Sequence, residues 1–153
     1  MTSQKRDIQA FTTTLRAYGA QASLKFLNSG VPHRYTAVYR IDGDMLRNIL
    51  LEDKLDQIRT DFLEVVPLAT SFCQFVLKEG IFKTDDTNLD ARLDGNPYQG
   101  VVLCYHGVPM IDSKSEVSGT LCHFDLFPRE IEDSEFDLLM QAGGVLPAYL
   151  NDL

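Results

Sequence analysis

The spacing of apolar residues predicts three amphipathic helices in this chain. Between residues 7 and 29, apolar positions such as Ile8, Phe11 and Leu15 recur every three or four residues, the period of a helix with one face on a core. The same period recurs from residue 67 to 79 and from residue 134 to 150. The sequence therefore predicts a helix near each end of the chain and a third helix between them.

The segments between these helices consist of apolar, β-branched or aromatic runs separated by short polar breaks, a pattern typical of strands joined by tight turns. Asp42-Gly43 is a strong turn signal between the first two runs. A longer polar segment, 85–97, predicts an irregular loop that covers another part of the molecule. The predicted strands are about 35–41, 45–51, 81–84, 99–111 and 117–125.

Length and composition favour one α+β domain spanning residues 1–153. Hydrophobic residues make up 44% of the chain and charged residues 24%, values typical of a globular protein with its own core. The formal net charge of -8 argues against binding to the phosphates of nucleic acid or to an anionic membrane surface. No apolar run approaches the roughly 18 residues of a membrane helix, and the N-terminal segment lacks the apolar centre of a signal peptide. We therefore expect a cytoplasmic protein.

Four segments together resemble a GAF domain, and the resemblance extends over nearly the whole chain. SFCQFVLKEG at Ser71 to Gly80 is similar to the central helix of that family, and DDTNLDAR at Asp85 to Arg92 is similar to its loop after the next strand. VSGTLCHFD at Val117 to Asp125 and PREIEDSEFDLL at 128–139 resemble its final strand and the start of its last helix. The family resemblance implies an antiparallel sheet with the first and last helices on one face. On the other face, the central helix and the loop would cover a ligand pocket.

This resemblance implies a non-enzymatic sensory or regulatory module of the kind found in bacterial signal transduction. A small ligand, whose identity the sequence leaves open, would change the arrangement of the cover and act on the first and last helices. The apolar stripes of those helices predict a homodimer. Arg92 is the expected partner of an anionic ligand. The predicted ligand-binding residues are Cys73, Asp86, Arg92, Tyr105, Cys122 and Phe124.

Three branches of the family imply different functions. No Asn-Lys pair occurs in the chain, which argues against the cyclic-nucleotide signature, and Cys122-His123 lies on the last strand rather than at the bilin attachment position. Cys73 corresponds to a cysteine of the free methionine sulfoxide reductases, although the loop 85–97 lacks the reactive cysteine of those enzymes. A thiol redox enzyme that uses Cys73 is therefore the alternative function, and an interaction scaffold with a filled core is a third.

Two further groups of residues suggest metal binding. Cys104, His106 and Cys122 would share one face of the last hairpin in some registers, and thiolates and imidazole are zinc ligands, but core packing is the competing interpretation. The loop residues Asp86, Asn88, Asp90 and Asp94 alternate as calcium ligands do, but Ala91 occupies the position where an EF-hand needs glycine. The sequence thus predicts no metal as the main interpretation, and it singles out no haem ligand among His33, His106 and His123.

Overall fold

The centre of the molecule is an antiparallel sheet. The structure is a computed structural model that describes residues 5–57 and 61–150, without the side chains of residues 61 and 62. The sheet has six strands among the described residues, in the order β3-β2-β1-β6-β5-β4. The sheet, with helices beside it, confirms the predicted α+β class. The strands are β1 Tyr35–Asp42, β2 Met45–Asp53, β3 Val65–Pro67, β4 Phe82–Thr84, β5 Cys104–Ile111 and β6 Val117–Asp125.

The first predicted helix is divided into α1 Ile8–Tyr18 and α2 Ala20–Ser29. Gly19 separates them, because its φ of 97° is a left-handed conformation that ends α1 while its amide still donates to the Leu15 carbonyl. The Asp7 side chain accepts a hydrogen bond of 2.9 Å from the Ala10 amide and so caps the start of α1. The remaining helices are α3 Asp61–Glu64, α4 Cys73–Glu79 and α5 Asp133–Val145.

Three predicted boundaries differ from the structure, in each case because local contacts replace the expected element. The helix predicted over 67–79 begins only at Cys73, since Val65–Pro67 pairs with β2 as a strand. The strand predicted over 99–111 begins at Cys104, after a turn that closes with a bond from the Val102 amide to the Tyr98 carbonyl. The predicted helix 134–150 continues beyond α5 as a 3-10 turn, Leu146–Tyr149, which contains Pro147.

The first and last helices pack on one face of the sheet, which we call the helix face. Phe11 of α1, Leu24 of α2 and Leu139 of α5 are fully buried there, together with Val38 and Leu121 of the sheet. The helices come very close to the strands. A Cβ atom on Gly143 of α5 would lie 2.5 Å from the Pro109 carbonyl oxygen, so that only glycine fits at this contact.

The opposite face, the cavity face, is covered by α4 and by the segment between β4 and β5. Phe72, Val76 and Leu93 from the cover pack against Tyr105 and Phe124 of the sheet. The loop predicted at 85–97 contains two 3-10 turns, Thr87–Leu89 and Ala91–Leu93. Helices on one face and a separate cover on the other are the layers that the resemblance to a GAF domain implies.

The apolar stripes of α1 and α5 are buried within this chain rather than left for a second copy. Phe11 and Leu15 of α1 are at most 2% exposed, as is Leu139 of α5. The predicted homodimer therefore cannot use these stripes, because the helix face already covers them. Among the residues described in α1, α5 and the turn after α5, the exposed large apolar side chains are Tyr18, Met140 and Tyr149. Among the described residues, no helix has the length and apolar character needed to cross a membrane.

Candidate functional site

A small cavity lies between the cavity face of the sheet and α4. Its volume is about 50 Å³, and most of its wall is apolar. Ser71, Phe72 and Cys73 contribute from the start of α4, and Tyr105 and Phe124 contribute from the hairpin β5–β6. The other lining residues are Tyr39, Leu46, Leu63, Val66, Tyr98 and Val102.

Cys73 supplies a polar group at the wall of this cavity. Its Sγ lies 3.2 Å from the Tyr105 hydroxyl and 3.1 Å from the Thr120 hydroxyl, both within hydrogen-bond range for sulfur. Burial raises the pKa of the Cys73 thiol and raises the pKa of the Tyr105 hydroxyl well above its ordinary value. The two groups are therefore neutral near pH 7, and the site offers weak donors and acceptors rather than a charge.

Aromatic rings pack against one another beneath α4. Phe72 meets Tyr98 edge to face at 6.3 Å and Tyr105 at 5.7 Å between ring centroids. The Tyr105 ring lies over Gly107, where a Cβ atom would come within 2.5 Å of it. A glycine at this position of β5 thus lets the tyrosine lie flat against the strand.

Four of the six predicted ligand-binding residues lie on the cavity face. Cys73, Tyr105 and Phe124 line the cavity itself. Cys122 is buried in the same core, and its Sγ lies 3.7 Å from the Ala37 carbonyl oxygen across the β1–β6 pair. The structure thus brings together the predicted residues that come from α4 and from the last hairpin.

Asp86 and Arg92 lie outside this cavity, along a shallow depression beside β4. The Arg92 guanidinium pairs with Asp90 at 2.6 Å, donates to the Lys83 carbonyl at 2.9 Å and lies 4.4 Å from the Phe82 ring centroid. The Asp86 carboxylate accepts a hydrogen bond from the Asn88 amide at the start of a 3-10 turn. Their local contacts explain this placement, and ligand binding by Asp86 and Arg92 stays a prediction.

The sequence also carried signals for lining residues that were not singled out. Tyr39 lies four residues after Tyr35 in β1 and therefore faces the same side of the sheet. The Tyr39 hydroxyl donates a hydrogen bond of 2.8 Å to the Leu63 carbonyl, which places it at the end of the cavity near α3. Phe72 immediately precedes Cys73 at the start of α4, and this adjacency could have identified Phe72 as a lining residue.

On the helix face, buried polar residues occupy the end of the sheet where β1 begins. His33 Nε2 lies 2.8 Å from His106 Nδ1, and His106 Nε2 lies 2.7 Å from a carboxylate oxygen of Asp85. His33 and His106 are completely buried. Burial lowers the pKa of His33 to about 3, and it also lowers the pKa of His106.

A second set of hydrogen bonds continues from this cluster toward α2. His123 Nδ1 lies 2.6 Å from the Thr36 hydroxyl, which accepts a hydrogen bond of 2.9 Å from the Asn28 side-chain amide. The Lys54 ammonium donates to the Asn28 side-chain oxygen at 2.7 Å. Burial lowers the pKa of His123 well below its ordinary value and lowers the pKa of Lys54.

The predicted grouping of Cys104, His106 and Cys122 is wrong in its third member. Cys122 pairs with Gly107 in the β5–β6 register, so its side chain lies on the cavity face, whereas Cys104 and His106 lie on the helix face. The structure brings His33 to the other two instead. One ligand atom from each of His33, Cys104 and His106 lies within 4.8 Å of the others.

No protein-family model matches this sequence, and no curated protein matches it. The structure resembles the chromophore-binding domain of Stigmatella aurantiaca bacteriophytochrome with a TM-score of 0.72 and 9% identity, covering 95% of this chain and 59% of that chain. It resembles the GAF domain of the Acinetobacter phosphoenolpyruvate-protein phosphotransferase with a TM-score of 0.72 and 10% identity, covering 93% of this chain and 89% of that chain. The type II free methionine-R-sulfoxide reductase of Thermoplasma acidophilum is also similar, with a TM-score of 0.67, 16% identity and 94% of each chain covered. The chain therefore has a GAF-like fold.

Proposed function

We propose that this chain is a sensory or regulatory domain that binds a small, uncharged and mainly apolar molecule in the cavity beneath α4. The observation that carries this proposal is the cavity itself, which lies where ligand-binding domains of this shape are expected to hold their ligand. A cytoplasmic location and a role in bacterial signal transduction belong to the same proposal. They agree with the fold shared with GAF and chromophore-binding domains.

The size of the cavity limits the ligand. Pockets for drug-sized molecules typically occupy about 300–1,000 Å³, whereas this cavity measures about 50 Å³. A molecule with a few non-hydrogen atoms fits without movement of the wall. A larger ligand, such as an extended chromophore, requires Phe72 and Tyr98 to leave their present positions.

The wall of the cavity also limits the ligand's charge. None of the described residues that line it is charged. Transferring an ionised group from water into such surroundings without a partner costs several kcal/mol or more. Cys73, Tyr105 and Ser71 offer hydrogen bonds for one polar atom, so the expected ligand has an apolar body and a single hydroxyl, carbonyl or sulfur group.

A route from the cavity to the terminal helices exists through β5 and β6. Tyr105 of β5 and Phe124 of β6 line the cavity. Val108 and Leu121 of the same strands are buried on the other face, in the core that α5 covers. Gly143 of α5 lies against the Pro109 carbonyl of β5, so a shift of β5 displaces α5 as well. We expect the ligand to act by favouring one arrangement of α4 and β5. A homodimer would then use the exposed residues of α1 and α5 rather than their buried stripes.

Two probes that differ in polarity test this function. Xenon and 2-propanol are titrated into isotope-labelled protein, and backbone amide shifts are recorded by NMR. We expect saturable shifts at Phe72–Val76 and Val102–Tyr105, and we expect Val102→Leu, which adds a methylene group to the cavity wall, to reduce both affinities at least about tenfold. Arg92→Ala is the matched control and leaves the affinities unchanged. Equal binding by wild type and Val102→Leu would reject the cavity as the site.

The thiol redox enzyme is the second candidate function, favoured by the structural similarity to a methionine-R-sulfoxide reductase. Cys73 is 5% exposed and its pKa is raised, whereas a reactive cysteine needs access and a lowered pKa. The test compares wild type and Cys73→Ser on free methionine sulfoxide with thioredoxin as the reductant. Turnover that disappears in Cys73→Ser would establish the enzyme, and equal inactivity of the two proteins would remove it.

A further inference from the structure

The buried histidines of the helix face have no part in the proposed ligand site. We infer that His33, Cys104 and His106 form a binding site for a divalent transition metal ion, with zinc as the expected ion. The site lies on the opposite face of the sheet from the cavity. It joins the connection between α2 and β1, which carries His33, to the first half of β5.

The geometry of the three side chains fits a zinc ion. One nitrogen of each histidine and Sγ of Cys104 lie within 4.8 Å of one another. Zinc binds nitrogen at about 2.0–2.1 Å and sulfur at about 2.3 Å, so ligand atoms in a tetrahedral site are roughly 3.3–3.8 Å apart. Side-chain rotations that break the His33–His106 hydrogen bond therefore complete the site, without any change of strand register.

Asp85 fixes the tautomer of His106. A carboxylate only accepts hydrogen bonds, so the contact of 2.7 Å places a proton on His106 Nε2 and leaves Nδ1 unprotonated, able to accept a hydrogen bond or to bind a metal ion. A histidine that donates its second N–H to a carboxylate is the usual arrangement around metal ions, because the carboxylate fixes the ring and increases its basicity. Asp85 would be a positioning residue in this site.

His33 provides the second observation that points to a ligand. His106 Nδ1 accepts a hydrogen bond from His33 Nε2, which leaves an unprotonated Nδ1 on His33. This atom is fully buried and has no hydrogen-bond partner among the described residues. Buried polar atoms are nearly always paired, so a histidine network with one unpaired nitrogen suits metal binding better than a purely structural role.

The set of donors favours zinc over calcium or magnesium. Two imidazole nitrogens and a thiolate are ligands for zinc, whereas the hard cations require oxygen. The nearby Asp125 is already engaged, because its carboxylate accepts from the Arg34 amide at 3.0 Å and from the Arg129 guanidinium at 2.9 Å. Three protein ligands thus leave the fourth position for water.

Binding requires the Cys104 thiol to release its proton. Burial raises the pKa of this thiol to about 12, so the thiol is protonated in the metal-free protein near pH 7. The ion replaces that proton, which passes to solvent, and one thiolate then reduces the net charge of the site to +1. Asp85 is 58% exposed at its side chain and marks the side from which an ion can enter.

A cobalt titration tests the site directly. The full chain is purified under reducing conditions, freed of metal with a chelator and titrated with Co²⁺, which reports thiolate ligation and tetrahedral geometry by its absorption. We expect one equivalent to produce a thiolate-to-cobalt charge-transfer band, and one equivalent of Zn²⁺ to remove it. Zn²⁺ is also expected to raise the melting temperature of the wild type. Absence of the charge-transfer band in the wild type would overturn the proposal.

Two buried thiols of the same hairpin form a matched pair of variants. Cys104→Ala should lose the charge-transfer band and bind metal at least about 100-fold more weakly, whereas Cys122→Ala on the cavity face should bind like the wild type. Asp85→Asn should keep the band and weaken binding about 10–100-fold, as expected for a residue that orients a ligand. Circular dichroism checks that each variant folds. If Cys104→Ala does not fold, the comparison of Asp85→Asn with the wild type tests the site. Equal loss in Cys104→Ala and Cys122→Ala, or unchanged affinity in Asp85→Asn, would refute the site.

Discussion

The two faces of the sheet are built from the same strands but hold different kinds of core. The helix face consists mainly of closely packed aliphatic side chains with Phe11 and Phe136 among them, and it has a buried histidine network at one end. The cavity face has more aromatic rings, which lie around a space of about 50 Å³, and its polar contacts join neutral hydroxyl and thiol groups. Close packing suits the helix face to stability, whereas incomplete packing suits the cavity face to the proposed binding of a ligand.

The largest expected effect comes from removing packing on the helix face. Leu139→Ala should lower the free energy of unfolding by about 3 kcal/mol, within the usual range of 2–5 kcal/mol for buried leucine, because the side chain is fully buried between α5 and the sheet. Urea unfolding measures this change. Met140→Ala, one residue further along α5 and 46% exposed, is the control and should lose less than about 1 kcal/mol. Similar losses in the two variants would contradict the role given to the helix face.

The second effect is a dependence of the free energy of unfolding on pH, which arises from the histidines of the helix face. His33 has a pKa of about 3 when folded and about 6.5 when unfolded, so the unfolded chain takes up the proton first as the pH falls. The stability that depends on neutral His33 is complete above pH 6.5 and is lost progressively toward pH 3. Between pH 7.5 and 5, His33 alone should cost about 2 kcal/mol of unfolding free energy in metal-free protein.

Urea unfolding at several pH values, with chelator present, checks this dependence. His106 and His123 also have lowered pKa values, so they add to the loss in the same direction. His33→Gln is the control variant. It should reduce the slope of unfolding free energy against pH by the amount that corresponds to about one proton. A stability that stays constant from pH 7.5 to 5 would show that these histidines are not held neutral in the folded protein.

The third effect concerns the polar contact on the cavity face. Tyr105→Phe removes the hydroxyl that lies 3.2 Å from Cys73 Sγ, and it should lower the free energy of unfolding by about 1 kcal/mol. The loss stays small because Cys73 keeps its contact of 3.1 Å with Thr120. Tyr18→Phe serves as the control, since Tyr18 is 80% exposed and its hydroxyl loss should change stability very little. Equal effects of the two substitutions in thermal unfolding would show that the buried contact contributes nothing.

The difference between the faces was partly predictable from the sequence. Alternation along β5 places Tyr105 on one face and Cys104 and His106 on the other, whatever strand lies beside it. The helical period of residues 7–29 likewise predicts which side of α1 and α2 packs on the sheet. Periodicity therefore predicts the helices and which side of each packs, whereas the two layers and the lining residues Cys73, Tyr105 and Phe124 came from the resemblance to a GAF domain.

The remaining parts depend on register and on irregular segments, which periodicity does not describe. Cys122 faces the cavity because β6 pairs it with Gly107, and a shift of one residue would reverse that orientation. His33 lies in the connection between α2 and β1, so no repeating pattern relates it to Cys104 and His106. The Arg92 side chain forms an ion pair with Asp90, two residues earlier. The prediction that Arg92 binds an anionic ligand did not include this short-range contact.

The smallest expected effect is a gain in stability on the cavity face. Val102→Leu adds one methylene group to the wall of the 50 Å³ cavity, and it should raise the free energy of unfolding by about 0.5–1 kcal/mol because apolar surface fills empty space. The matched substitution on the helix face, Val108→Leu, should instead destabilise the protein by about 1 kcal/mol or more. Val108 is fully buried, and its side chain lies close to Gly143 where α5 meets β5. Opposite signs in parallel urea titrations would establish that only the cavity face has room, because the same added group meets space on one face and a packed helix on the other. Destabilisation by both substitutions would mean that the cavity is filled in solution.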